Sequence, residues 1–160
     1  MKTKVIVLGA GLIGKPLAID LVKDENFEVT IADKSWLQLE SIEEANLQKK
    51  HMDLKETFGL KKLLQPFDLV VNAVPGFMGY DTLKTVIEAG KDCVDIAFYP
   101  EDVFGLSTLA KEKGVRVISD MGVAPGMSNL LTGFAASKMD EVEKVDIFVG
   151  GLPRVRQLPW

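Results

Sequence analysis

The sequence predicts an α/β protein with a doubly wound parallel sheet of about six strands, and two observations carry that prediction. Short β-branched runs alternate with longer segments whose apolar residues recur three or four apart, so the hydrophobic period switches repeatedly between strand and helix. The first such run leads straight into GAGLIG and a helical pattern. Strands that alternate with helices pair in parallel, and the crossover helices cover both faces of their sheet.

In chain order, the first strand is expected at KVIVLG, residues 4–9. Lysines precede it as in a secretory signal, but the apolar run is short, broken by glycine and followed by Lys15 and Pro16 instead of a small-residue cleavage site. A helix over 12–24 follows, with Pro16 near its first turn, where a missing N–H costs least. FEVTIAD (27–33) is the second strand, and Ser35 caps a helix over 35–45. NLQKKHMD (46–53) carries the weakest strand pattern and leads to a helix over 54–65. FDLVVNAV (67–74) is followed by an irregular stretch containing Pro75, Gly76 and Gly79, then by a helix over 80–90 that Gly90 stops. DCVDIAF (92–98) precedes a helix over 101–113, with Glu101 and Asp102 as dipole-complementing acids and Gly114 as its stop. VRVISD (115–120) is the sixth strand, and a helix over 127–139 follows Pro125 and Gly126. Finally VEKVDIFVGG (142–151) alternates Val145, Ile147 and Val149 with Asp146, as a half-buried strand would.

With 160 residues the chain suits one ordinary domain plus an appendage. A make-up that is 47% hydrophobic and 26% charged is globular, and no apolar run reaches a membrane span. A soluble, cytoplasmic protein is expected. The net charge of −4, with basic residues scattered along the chain, offers no patch for nucleic acid. Cys93 is the only cysteine and His51 the only histidine, so neither an internal disulfide nor a zinc site is expected, and no metal is assigned. Cys93 reads as a small buried hydrophobe and His51 as a surface residue that alternatively flanks an adenine.

GAGLIG places Gly9, Gly11 and Gly14 in the spacing G-x-G-x-x-G between a strand and a helix, the setting of a Rossmann-type dinucleotide loop. Gly9 makes the tight turn, Gly11 lets backbone N–H groups approach a pyrophosphate, and Gly14 lets the helix pack close to the strand. Asp33 ends the second strand nineteen residues beyond Gly14, where a carboxylate takes the ribose 2′-hydroxyl and repels a 2′-phosphate. NAD is therefore the expected cofactor, with NADP tolerated if Lys34 offsets the repulsion. Expected contacts are Gly9, Gly11, Leu12, Ile13 and Gly14 in the loop, Asp33 and Lys34 after the second strand, Asp53 after the third, and Asn72, Ala73, Val74 and Pro75 after the fourth.

In an open parallel sheet the ligand lies beyond the carboxyl ends of the strands, so the loops there hold the remaining candidates. Pro75 and Gly76 end a strand and let backbone pass close to a cofactor, while Asn72 offers both a donor and an acceptor. DIAFYPED brings Asp95 and Tyr99, and SDMGVAPGMSN brings Asp120, Ser128 and Asn129. Ser128 and Asn129 open a helix, either as simple caps or as a receptor for an anion such as a carboxylate.

VLGAGLIG, VNAVPGFMGYDTLKTVIEAGKDCVDIAFYPED, SDMGVAPGMSN and VGGLP together resemble the N-terminal region of the saccharopine dehydrogenase-like family, most closely its lysine 6-dehydrogenase branch. The resemblance covers nearly the whole chain. It implies an NAD(P)-dependent oxidoreductase acting on an amino acid: oxidative deamination at the ε-carbon of L-lysine, or a saccharopine-type reaction. Asp95, Tyr99 and Asp120 are then the catalytic candidates, for proton transfer or for holding the substrate ammonium. It also implies that residues 1–141 are the cofactor domain and that 142–160 begin a second domain, incomplete here, which leaves the chain by itself inactive or weakly active. A non-catalytic NAD-binding module is the reading from another class. By the same resemblance the sheet partners of the strand at 142–151 lie beyond Trp160, so pairing with a second copy in a homodimer is expected, with disorder of residues 142–160 as the alternative.

Overall fold

The structure is a computed structural model, and it describes residues 2–150. Six strands form one parallel sheet in the order β3-β2-β1-β4-β5-β6: β1 Thr3–Leu8, β2 Phe27–Asp33, β3 Gln48–His51, β4 Leu69–Asn72, β5 Asp92–Asp95 and β6 Val117–Ile118. The order reverses between β1 and β4, which pair Val5 with Leu69 and Leu8 with Asn72. At that switch point the crossovers leave to opposite faces, and a crevice opens at the carboxyl ends.

Helices connect the strands, α1 Gly14–Leu21, α2 Trp36–Glu40, α3 Thr57–Leu64, α4 Gly76–Glu88, a 3₁₀ turn Val103–Leu106 and α5 Ser107–Lys113, and α6 Met127–Ala136 follows β6 in the chain. Each face of the sheet carries its own core. On one side Ile6, Leu8 and Val70 pack with Leu60, Leu64, Leu83 and Ile87 of α3 and α4. On the other, Val5, Val7, Val29 and Ile31 pack with Ala18 and Leu39 of α1 and α2. Strands covered on both sides must be apolar at consecutive positions, and Val5–Leu8 are all buried.

Several boundaries differ from those the pattern predicts, for identifiable reasons. Helix α4 begins at Gly76 instead of residue 80, with Pro75 at the N-cap position. Proline and two glycines read as a break, yet here they are what lets the helix start. A side chain on Gly76 would collide with the Phe98 carbonyl oxygen, and one on Gly79 would lie 2.6 Å from the Tyr99 ring and 2.7 Å from the Ala97 methyl. The two glycines allow the first turn of α4 to lie against the chain leaving β5. The stretch 101–113 divides into the 3₁₀ turn, capped by Asp102 accepting from the Phe104 N–H at 2.9 Å, and α5.

Among the described residues one compact unit ends at Met121 and a second begins at Gly122, ahead of the boundary expected at 141. The second unit contains α6, whose first turn is closed on itself: the Asn129 side-chain oxygen accepts from the Gly126 N–H and the Ser128 hydroxyl. The strand expected over 142–151 is not seen: residues 142–150 form no strand pairing among the described residues, and Gly151 lies outside them. Alternating apolar residues suit a strand only where a neighbouring strand takes up the N–H and C=O groups. The remainder of the tail, LPRVRQLPW, also lies outside the described residues. Among those described, no helix is long and apolar enough to cross a membrane.

Candidate functional site

The site is built from the loop after β1. Gly9 has φ 101°, a left-handed conformation that penalises any side chain, and a Cβ there would stand 2.7 Å from the Ala73 carbonyl oxygen. A Cβ on Gly14 would strike the Gly9 carbonyl oxygen. Two of the three glycines therefore let the loop, α1 and the end of β4 approach one another, with Ala73 serving as a packing surface.

Gly11 is different, because nothing lies within 4 Å of where its Cβ would be. Nothing among the described residues therefore demands glycine there. The N–H groups of Gly11, Leu12, Ile13 and Gly14 have no acceptor among the described residues, while the next, Lys15, donates to Gly11. Four free donors at the amino end of α1, in the field of its dipole, form a cradle for an anion. Leu12 and Ile13 are 95% and 58% exposed, so neither is held by the core.

Asp33 closes the other side of the loop. One carboxylate oxygen accepts from the Ala10 N–H and the other from the Ser35 N–H, both at 2.7 Å. A carboxylate has about four lone-pair sites, so each oxygen keeps capacity for a further donor such as a ribose hydroxyl. The cap of α2 is Ser35 itself, whose hydroxyl accepts from Gln38 at 3.4 Å. Asp33 thus fixes the loop geometry and presents negative charge together.

Beside Asp33 lies a cleft of about 180 Å³. Six of the twelve expected cofactor residues line it: Gly9, Asp33, Lys34, Asp53, Val74 and Pro75. The other walls, Leu54, Lys55, Phe77 and Met78, are residues that sequence reasoning did not select. Leu54 and Lys55 directly follow Asp53, and Phe77 stands inside VPGFMG, so the available signal was their position just past a strand end. His51 sits apart from this lining, its Nε2 against the Lys34 carbonyl oxygen at 2.8 Å and its ring edge-on to Trp36.

Asn72 is fully buried, not open to the crevice as its assignment as a cofactor contact requires. Its amide donates to the Gly79 carbonyl oxygen at 3.2 Å, tying β4 to α4, and its own carbonyl oxygen lacks a partner among the described residues.

The three catalytic candidates fall in one neighbourhood with different access. Asp95 is fully buried, accepting from the Ala97 N–H at 2.9 Å and from the Tyr99 hydroxyl at 2.8 Å. Desolvation raises its pKa from 3.8 to about 6, opposed by hydrogen bonds from Tyr99, Ala97 and Asn72 and assisted by the charge of Asp120. Tyr99 is half-buried, edge-on to Tyr80, and its phenol is held above the usual range by desolvation and then by Asp95. Burial likewise pushes the Cys93 thiol up. Asp120 is exposed, with an uncommon left-handed backbone at φ 56°. A buried carboxylate whose oxygens are engaged inside cannot meet a substrate directly; Asp95 holds the Tyr99 hydroxyl, while Asp120 is exposed.

A parallel sheet in this order, with a glycine loop and an acidic strand end at the switch point, defines a Rossmann-type nucleotide-binding domain. Residues 5–118 match the family described as saccharopine dehydrogenase NADP binding domain, and the chain belongs to that family. It is 27% identical over 166 residues to a saccharopine dehydrogenase (NADP+, L-glutamate-forming) of Pyricularia oryzae, covering 96% of this chain and 35% of that protein. It is 25% identical over 158 residues to the mitochondrial alpha-aminoadipic semialdehyde synthase of Bos taurus, covering 95% of this chain and 17% of that one. The chain thus spans about a third of the first relative's length and less than a fifth of the second's. Among solved structures, apo saccharopine dehydrogenase (L-Glu forming) from Saccharomyces cerevisiae superposes with a TM-score of 0.75 at 21% identity, over 85% of this chain and 31% of that one.

Proposed function

We propose that the chain is the cofactor-binding part of an oxidoreductase acting on a C–N bond of an amino acid, and that it takes NAD in preference to NADP. The observation that carries this is the pairing of the four unengaged N–H groups of Gly11–Gly14 with the Asp33 carboxylate across one loop. The donors suit a pyrophosphate and the carboxylate suits a ribose diol. A bound nicotinamide would supply the hydride acceptor for the carbon that carries nitrogen.

The family's description names NADP, whereas in this reading the Asp33 carboxylate receives the ribose diol and would repel a 2′-phosphate there. The charge is local and fixed by two backbone donors, so it weighs more in this reading than the family's name. Lys34 and Lys55 on the cleft leave NADP a weaker ligand instead of an excluded one.

Lysine or a lysine derivative is the substrate class in this reading. The lysine 6-dehydrogenase branch is supported by VPGFMGY and the other quoted motifs, and a saccharopine-type reaction by the names of the relatives. Tyr99 and Asp120 carry the proton-handling role, with Asp95 as a positioning residue behind Tyr99. A cytoplasmic location and a homodimer belong to the same reading. Calorimetric titration with NAD and NADP tests it: tighter NAD binding is expected, and equal or reversed affinities would overturn the preference.

A further inference from the structure

The cleft beside Asp33 has a closure that the dinucleotide reading above does not use. Its floor and walls are apolar, from Leu54, Val74, Pro75 and Met78, and charge is confined to the other lining residues. Lys55 reaches in from the loop after β3 and Phe77 from the first turn of α4, so they belong to different walls. The Lys55 ammonium stands 5.2 Å from the centre of the Phe77 ring, within the range of a cation–π contact. Phe77 is 75% exposed, which means that no core packing holds the ring where it is. On the rim, Asp53 uses one carboxylate oxygen for the Lys55 N–H at 3.0 Å and leaves the other without a protein donor among the described residues.

Size and chemistry narrow the occupant. Sites for drug-sized ligands run from about 300 Å³ upward, so about 180 Å³ suits one flat ring system and not a whole dinucleotide. An apolar slot with an aromatic face, a cation over that face and a free carboxylate oxygen fits a base with a π-surface and an amino-bearing edge. Because Asp33 lines the same cleft, the base that enters is the one attached to the ribose that Asp33 would hold.

We propose that Lys55 and Phe77 form a clasp across this cleft that grips the adenine base, and so determine affinity for the adenosine half of the dinucleotide. The proposal rests on the dinucleotide reading.

The test is calorimetric titration of the chain and its variants with adenosine diphosphate ribose, which lacks nicotinamide, and with NAD. Stacking on an aromatic side chain contributes about 1–3 kcal/mol per base, so Phe77→Ala is expected to weaken both ligands about tenfold. Phe77→Trp, which keeps a face, should retain most of the affinity. Lys55→Gln is expected to cost about two- to fivefold. Both side chains are exposed, and an unchanged thermal midpoint would show that any loss is one of binding. Wild-type binding that Phe77→Ala leaves unaltered would overturn the clasp with the dinucleotide reading intact. A loss that Phe77→Leu does not share would also overturn it, since leucine has no ring to stack. No binding of either ligand by the wild type would overturn the dinucleotide reading and the clasp with it.

Discussion

Replacing Asp95 with asparagine should remove one part of the chain's response to pH. The carboxyl is fully buried and its pKa is raised from 3.8 to about 6, mainly by desolvation. The folded state therefore binds this proton more tightly than the unfolded state does. Below about pH 4 both states are protonated and the group's contribution is fully present. As pH rises through about 6 the folded protein must carry a buried charge, and that contribution is lost. At 1.36 kcal/mol per pKa unit the loss is roughly 3 kcal/mol, to order of magnitude. Glu88 and Asp92 run the other way: Lys61 holds the first below the usual carboxylate range and hydrogen bonds from Arg116 the second, so each adds stability that fades as pH falls. The quantity to measure is therefore the difference in urea-unfolding free energy between Asp95→Asn and the parent, at pH 4, 5, 6 and 7. The variant should gain on the parent by a few kcal/mol across that range. A difference that stays flat would refute the argument that desolvation dominates at Asp95.

Gly11→Val should abolish dinucleotide binding while leaving the far-UV spectrum near native, because nothing among the described residues lies within 4 Å of where its Cβ would be; unchanged affinity would mean that the loop is only a turn. Gly76→Ala should destabilise by about 1–3 kcal/mol in urea, since the obstacle is the Phe98 backbone oxygen, which cannot rotate away. Gly133→Ala, in α6 with nothing within 4 Å, should instead be neutral or stabilise by up to about 1 kcal/mol. Light scattering on the intact chain and on a version ending at Asp140 tests the homodimer: a dimer that becomes a monomer on truncation is expected, from the half-exposed Val145, Ile147 and Val149. Two monomers, or two dimers, would exclude the tail as the interface.

The parallel sheet was legible because burial on both faces forces runs such as Val5–Leu8, and the glycine loop because its spacing has one common use. The start of α4 was not, because Pro75, Gly76 and Gly79 are breakers by local propensity. Their reason lies at Phe98 and Tyr99, some twenty residues away in sequence. Strand pattern at 142–151 misled for the converse reason, since periodicity reports what a segment can bury and not whether a partner exists. In the site, the place of Asp33 at the end of β2 beside the glycine loop was legible from spacing, whereas the burial of Asn72 and Asp95 was not: a polar residue at a strand end reads the same whether it faces the crevice or the core. Lys55 and Phe77 escaped because a cation and an aromatic on separate loops meet only after folding.

The central claim is that the carboxyl edge of the sheet, around the first glycine loop, is a dinucleotide site. Two-dimensional ¹H–¹⁵N correlation spectra recorded during a titration with NAD address it most directly, because the four backbone amides proposed to bind are themselves the reporters. The largest shifts are expected at Gly11, Leu12, Ile13 and Gly14, with smaller ones at Asp33, Asp53 and Lys55. Saturating NAD that leaves these amides unmoved, or that moves only residues far from the loop, would contradict the claim.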